Sequence, residues 1–566
     1  MNIWVEPIQK SIRMDQGQTL AEGLEQSGII IEKPCGGLGN CGACRIWVET
    51  PGAVPPTPSD TISMEENKTG LRLACRAVPE KDCTVRLEES YVHEHRSRDH
   101  GRILSRNSHI RRTGARPAVR VIREGERFLL SCDKEDAPIA LTQWHAGYRP
   151  KGLAIDIGTT TMVLSLVCLE TGEELATATS LNPQVVFGHD VMTRIQHART
   201  GAGLNDLTGA VREKLNHLIQ ETCDLSGSRQ EEIVDVCIGA NTTMLQLAAG
   251  MDPTPLGRAP FRHDIQGGRS YPADLFGLGL NAAVRVYIPP VVHAFVGTDI
   301  SAGLTCCPGF FNRDRSVLFI DLGTNGEIAL NAGGRWLTTS TAAGPAFEGM
   351  GLSTGMRAKD GAVERVDYAD GRFAFHTIGG KTVRGICGSG IVDLLWALLE
   401  SGSLDPSGRL LQGGAAAFRI VQMEGQLAFE YAQGFYLTQK DIRQIQLVKG
   451  AVRAGIDLIL DAGGIPADRL DRICVAGGLG NYLNPASMAG IGLIPDGTAA
   501  RLEFCGNTSL GGSFLLLTDG DLRAFLQAEA EKMTYLHLAT SKKFMSCFLE
   551  NLNFPGISGS TTSTAP

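Results

Sequence analysis

Long apolar runs are missing from this sequence of 566 residues: no stretch of 18 apolar residues occurs, which excludes a helix built to span a bilayer. Aromatic residues are scarce at 6%, and neither sign of charge dominates, with 53 Lys and Arg against 61 Asp and Glu. A net charge of -8 lacks the basic footprint of a nucleic-acid-binding chain. Two phosphate signatures are also absent. There is no G-x-x-x-x-G-K-S/T loop, and no G-x-G-x-x-G follows a strand and opens a helix; the match GLGNCG lies inside a cysteine cluster. The first residues, MNIWVEPIQK, lack the charged-then-apolar pattern of a secretory leader, so a cytoplasmic protein is expected. In that reducing setting 15 cysteines, an odd number over a long chain, argue against a disulfide framework and for local metal sites.

What is abundant is glycine: 68 residues, well above the usual share of about 7%. They follow no strict period, which leaves tight turns and close backbone approaches to a ligand as their use. Cysteine is clustered once. Cys35, Cys41 and Cys44 lie in PCGGLGNCGAC, and Cys75 follows in LRLACRAVP. Soft thiolates favour iron-sulfur or zinc. A four-cysteine zinc site usually comes as two short pairs, and here there is one pair. Three close cysteines and one distant one suit a [2Fe-2S] loop. Gly36, Gly37, Gly39 and Gly42 let such a loop turn N–H groups toward sulfide. Strands are predicted over 2–6, 10–14, 45–49 and 84–89, with a helix over 19–28. Cys83 falls outside the spacing and reads as a buried strand thiol.

Residues 1–90 thus resemble the [2Fe-2S] ferredoxins of β-grasp fold. The resemblance implies Cys35, Cys41, Cys44 and Cys75 as cluster ligands and one-electron transfer as the role. Beyond residue 90 the text turns polar. Nine arginines lie between Arg96 and Arg123 with one acidic residue, Asp99, so 91–116 reads as a basic, flexible linker. The next stretch, 117–150, shows strand-like alternation but is too short for a domain and reads as a connecting segment.

The larger part, 151–555, repeats one pattern. In GLAIDIGTTTMVLSLVCLETG an apolar strand ends in Asp156, followed by Gly158, Thr159, Thr160 and Thr161. In SVLFIDLGTNGEIALNAGG an apolar strand ends in Asp321, followed by Gly323, Thr324, Asn325 and Gly326. Backbone N–H groups and hydroxyls of such turns hold phosphate oxygens, and an aspartate at the strand end can hold hydrated Mg²⁺. Between them lies CIGANTTM, with Asn241 and Thr242 opening a helix. Later, Gly388, Ser389 and Gly390 open another helix, and RICVAGGLGNYLNP delivers Gly477, Gly478 and Gly480 into a turn. Helix N-termini suit anions, and glycines let a base or ribose lie on the backbone. Cys306, Cys307 and Cys387 lack an activating neighbour and read as structural thiols. Lys440, Asp441 and Arg443 open a helical stretch and read as surface or interdomain groups. The tail 556–566 is small and polar and is expected to be disordered.

These elements resemble the acetate and sugar kinase, Hsp70 and actin superfamily. The fold implied is α/β: a β-grasp [2Fe-2S] ferredoxin domain, then a duplicated ribonuclease H-like ATPase domain that closes on ATP and Mg²⁺. Carried over, Asp156 and Asp321 organise Mg²⁺ and the attacking water, and Gly477 and Gly478 meet the adenosine. The order IDIGTTT, LNPQVVFGHDVMTRI, GANTTM, DLGTNGE, TSTAAGPAFEGMG, GMRAKDGAVE, GICGSG, TQKDIRQIQLVKGAVRAGI and AGGLGNYLNP is similar to that of the reductive activators of corrinoid proteins. The resemblance implies ATP-dependent delivery of one electron to cob(II)alamin. It implies as partners a corrinoid protein of a methyltransferase system and an upstream low-potential electron donor, allows a homodimer, and involves neither nucleic acid nor membrane. TSTAAGPAFEG is expected at the partner face or packed as an interior turn. The middle segment of the family is expected to be shortened, since only about 60 residues precede Asp156 after the cysteine domain. A small-molecule kinase with an attached redox domain, or a plain electron-transfer subunit, remain as alternatives.

The purified protein is expected to be brown and to show a rhombic one-electron EPR signal when reduced. Cys41→Ser should abolish that signal; an intact spectrum would remove Cys41 from the ligand set.

Overall fold

Alternation of apolar and polar residues builds the first sheet. The molecule, a computed structural model, is described here for residues 1–87 and 115–556 apart from 7–8, 28, 30, 32–38, 40–43, 57–61, 63, 133–136, 414, 416, 424, 479–482 and 539–540. Strands β1 (Asn2–Glu6), β2 (Lys10–Arg13), β3 (Arg45–Val48), β4 (Leu71–Leu73) and β5 (Cys83–Leu87) lie in the order β2-β1-β5-β3-β4. β1 and β5 are parallel, and the other pairs are antiparallel. Ile3, Val5, Ile46 and Val85 point inward and pack with Leu20 and Leu24 of helix Leu20–Gln26. This is the expected β-grasp arrangement.

Residues 117–150 hold more structure than the sequence suggested. Strands β6 (Val119–Glu124), β7 (Arg127–Cys132) and β8 (Ile139–Ala140) form an antiparallel meander. The β6–β7 turn is Gly125, at φ +61°.

Two six-stranded sheets follow. The first contains β9 (Lys151–Ile157), β10 (Thr161–Cys168), β11 (Glu173–Leu181), β12 (Ile233–Ala240), β13 (Arg269–Pro272) and β14 (Arg285–Ile288), in the order β11-β10-β9-β12-β14-β13. The second contains β15 (Ser316–Leu322), β16 (Gly326–Ala332), β17 (Arg335–Thr341), β24 (Arg472–Ala476), β25 (Leu502–Gly506) and β26 (Thr534–Tyr535), in the order β25-β24-β15-β16-β17-β26. In each, three antiparallel strands in sequence are followed by parallel strands added beside the first. That common topology is the duplication anticipated from the two Asp-Gly-Thr hairpins. Parallel strands covered on both faces need continuous apolar runs, and β12 is buried at every position. Two small sheets interrupt the second repeat: β18 (Ala362–Ala369), β19 (Arg372–Thr377) and β20 (Gly385–Ile386), then β21 (Ile420–Met423), β22 (Gln426–Ala432) and β23 (Phe435–Thr438). The described residues divide into two compact units, one of 1–87, 115–288 and 517–520, the other of 289–516 and 521–556. Among them no helix is long and apolar enough to cross a membrane.

Two expectations are corrected. Cys307, read as a structural thiol, is joined to Cys474 of β24 in a disulfide, because the end of helix Thr298–Leu304 packs into the same core as β24. Asp441, read as a surface or interdomain group, is 2% exposed. It closes a capping box with Thr438 at the start of helix Gln439–Gly463 and accepts from the Ser353 backbone N–H at 2.9 Å.

The same helix carries a buried lysine. Lys449 is 1% exposed, donates to the Asn553 carbonyl at 2.6 Å and lies over the Phe554 ring. Gln446 donates to the Leu552 carbonyl, so the segment after helix Lys542–Glu550 is strapped to helix Gln439–Gly463. Burial first, and Arg453 second, push the Lys449 ammonium down to about 7, from 10.5. Unfolding therefore takes up a proton between those values, and stability must rise with pH across that window. Lys449→Met should remove a slope of up to about 1.4 kcal/mol per pH unit, checked by denaturant unfolding across the window.

Candidate functional site

The strand pair β3–β4 brings two of the four candidate cluster cysteines together. Cys44 precedes β3, Cys75 follows β4, and the Ala74 N–H donates to the Cys44 carbonyl at 2.7 Å. Their sulfurs stand 3.2 Å apart, with the residues 1% and 9% exposed. Two soft thiols this close and this shielded fit a common iron centre. Cys35, Cys41, Gly36, Gly37 and Gly42 lie outside the described residues. Cys83 sits on β5, buried as a strand thiol, where burial, and then Asp82, push it up to about 11.

The β9–β10 turn is gripped from several elements. Asp156 is the penultimate residue of β9, opposite Val163. Gly158 donates its N–H to the Thr161 carbonyl at 2.9 Å. A Cβ at 158 would stand 2.6 Å from that oxygen, so only glycine fits. Asn182 then takes two carbonyls, Gly158 through its side-chain amide and Thr160 through its backbone N–H, both at 2.8 Å. The Thr159 carbonyl accepts from Arg194 Nη2 at 2.5 Å, and the Thr159 hydroxyl accepts from Asn241 Nδ2 at 3.1 Å. Asn241 also caps helix Thr242–Ala249. In the first turn of that helix the Thr242 hydroxyl is buried without a hydrogen-bond partner. A buried orphan hydroxyl is costly, and at a helix N-terminus beside a glycine turn a phosphate oxygen would satisfy it.

Arg194 itself is fully buried. Its other bonds reach the Gly188 carbonyl at 2.8 Å, Gln184 Oε1 at 3.1 Å and Met244 Sδ at 2.9 Å. Burial pushes the guanidinium down to about 9, against an opposing pull from Asp190, so it is charged at neutral pH.

The β15–β16 turn is built from different parts. Asp321 is the penultimate residue of β15, directly opposite Glu327 of β16. Gly323 donates to the Asn325 carbonyl at 3.1 Å, and Thr324 is held by Glu348 Oε1 on its hydroxyl at 2.8 Å and by the Gly344 N–H on its carbonyl at 2.8 Å. Gly326 opens β16 where a Cβ would stand 2.8 Å from Thr341 Oγ1. Glu327 is 8% exposed. Burial, then Asp299 and Asp321, hold its carboxyl well above the usual range. Among the described residues no three His, Cys, Asp or Glu form a cage for a metal ion. Mg²⁺ needs less, since it commonly takes one or two carboxylates with phosphate oxygens and water, and Asp321 beside this turn fits that role.

Gly477 follows β24, whose Ala476 is paired with Asp321. It adopts φ +97°, and a Cβ there would stand 2.9 Å from Asp321 Oδ1 and 2.7 Å from the Leu322 carbonyl. The candidate adenosine turn after β24 thus lies against the candidate phosphate turn after β15. Gly478 is exposed, and Gly480 lies outside the described residues. Gly388, Ser389 and Gly390 are all buried at the start of helix Gly388–Glu400. A Cβ on Gly390 would stand 2.2 Å from the Val363 carbonyl, so that glycine serves close packing on β18. TSTAAGPAFEG packs inward: Thr339 and Thr341 are buried, and Glu348 holds Thr324.

Several supporting residues escape sequence reasoning. Asn182 and Arg194 lie in LNPQVVFGHDVMTRI and Glu327 in DLGTNGE, but nothing in their spacing says which turn they reach. Asp299, in the first turn of helix Thr298–Leu304, carried no motif.

Three family models match the chain: a 2Fe-2S iron-sulfur cluster binding domain over 4–80, the RACo middle region over 151–308, and the C-terminal domain of RACo, the ASKHA domain, over 315–564. The corrinoid activation enzyme RamQ of Eubacterium limosum is 33% identical over 424 residues, 71% of this chain and 70% of that one. The [Co(II) methylated amine-specific corrinoid protein] reductase of Methanosarcina barkeri is 26% identical over 441 residues, 71% of this chain and 77% of that one. A solved reductive activator for corrinoid, iron-sulfur protein superposes with a TM-score of 0.70 at 30% identity, covering 98% of both chains. The expected shortening of the middle segment is not borne out: the RACo middle region matches 151–308, which contain the first of the two hairpin repeats.

Gly477→Ala should abolish nucleotide-induced thermal stabilisation while leaving the visible absorption of the N-terminal domain unchanged. Calorimetry with and without ATP checks it; an undiminished shift would detach Gly477 from the nucleotide site.

Proposed function

The chain belongs to the family of reductive activators of corrinoid proteins, and on that premise we propose that it returns the cob(II)alamin of a partner corrinoid protein to cob(I)alamin with one electron, using ATP. The observation that carries this reading is the match over 98% of a solved reductive activator, because it joins the cysteine domain and the duplicated hairpin domain in one chain and one order. A kinase with a redox appendage would share only part of that order.

We assign Cys35, Cys41, Cys44 and Cys75 as the holders of a [2Fe-2S] cluster, which when bound supplies single electrons at potentials around -400 mV in plant-type cases. Cob(I)alamin formation needs a lower potential still, so the transfer is uphill, and nucleotide binding can offset it by favouring one arrangement of the complex. We assign Thr159, Thr160, Thr161 and Thr242 to phosphate oxygens, Asp156 and Asp321 to hydrated Mg²⁺ and the water it orients, and Gly477 and Gly478 to the adenosine. Glu327, protonated more readily than an ordinary glutamate, can hold a proton beside Asp321. The corrinoid protein is the substrate. An upstream low-potential donor refills the electron, and the protein works in the cytoplasm.

Asp156→Ala and Asp321→Ala should each keep the brown colour and lose ATP-dependent reduction of a cob(II)alamin protein by at least about a hundredfold, as expected when a charged group acting on the transition state is removed. The readout is the visible spectrum of the corrinoid protein mixed with reduced activator, with and without ATP. Equal rates with and without ATP in the unaltered protein would overturn the coupling.

A further inference from the structure

Arg194 is the largest side chain that is fully buried in the described molecule. Burying a guanidinium costs several kcal/mol unless an opposite charge compensates it. None of its four hydrogen-bond acceptors is a carboxylate: they are two backbone carbonyls, an amide oxygen and a thioether sulfur. Asp190, the acid that influences it, spends its own carboxylate capping helix Val191–His197 through the Thr193 N–H. A positive charge is therefore held inside the protein with weak neutral partners only.

Its location gives that charge a use. Nη2 touches the carbonyl of Thr159, in the middle of the β9–β10 turn, and Nη1 touches Met244, on the helix whose first turn carries the orphan Thr242 hydroxyl. The guanidinium thus stands one layer of backbone behind both elements assigned to phosphate oxygens. This chain has no Walker-type lysine to reach those oxygens from the front.

We propose that Arg194 is a positioning residue of the nucleotide site, which fixes the Thr159 turn and supplies, through one layer of backbone, the counter-charge for the polyphosphate. The proposal rests on the nucleotide reading above. It accounts for the unpaired charge: the compensating anion arrives with the ligand. A guanidinium also polarises the Thr159 peptide it bonds, in the direction that favours negative charge on the N–H side of that peptide. Its contribution must therefore grow with the number of phosphates on the ligand.

The test compares Arg194→Lys and Arg194→Met in the full chain, with binding of ATP, ADP and adenosine measured by calorimetry and the visible spectrum of the N-terminal domain as a folding control. Met should weaken ATP by at least about tenfold and adenosine by much less. Lys keeps the charge and should recover a substantial part of the ATP-over-adenosine preference. If Met and Lys weaken all three ligands alike, Arg194 is only a structural brace and the counter-charge role is refuted. If both bind ATP like the unaltered protein, the proposal fails outright. If the unaltered protein itself binds no nucleotide, the nucleotide reading fails first. Should Met prevent folding, Arg194→Gln, which keeps one donor for the Thr159 carbonyl, carries the same comparison.

Discussion

A tight turn has to satisfy its own carbonyls, and the β9–β10 turn, the one we propose for phosphate, does so with donors from neighbouring elements. Asn182 takes two carbonyls and Arg194 the third, while Asn241 fixes the Thr159 hydroxyl. Without these donors the carbonyls would compete for the ligand side, and their negative ends would repel phosphate. The long segment between β11 and β12 exists in good part to deliver these donors. Helix Thr242–Ala249 is tied to the same turn through Asn241 and Met244.

The two repeats share a topology but not a charge. Behind the first turn lies a buried cation; around the second lie three acids, Asp299, Asp321 and Glu327. One repeat is thereby suited to anionic oxygen and the other to a hydrated cation. Glu327 illustrates the cost. Its carboxyl is forced toward the protonated form by burial and by its neighbours, and such strain is tolerated where local charge is useful.

Much of this was legible in the sequence, and the reasons differ by element. The cysteine spacing and its glycines announced a cluster loop because thiolate ligands and tight turns leave little choice of residue. The strand-Asp-Gly-Thr hairpins announced the duplication because each feature sits within one short segment. Arg194, Asn182 and Asp299 were not legible as site residues, because their role depends on which distant turn they reach. The small sheet at β6–β8 was undervalued because short strands give little period to read. The Cys307–Cys474 pair was missed because 167 residues separate the partners, and cysteine count alone argues against pairing in a reducing compartment.

The contact between positions 477 and 321 has an evolutionary side. A side chain at 477 would have to push back the Leu322 carbonyl as well as the Asp321 carboxylate, at a φ of +97° that side chains rarely adopt. Position 477 is therefore held to glycine by the backbone around it, whatever stands at 321. A combinatorial library that varies 321 should keep glycine at 477 throughout.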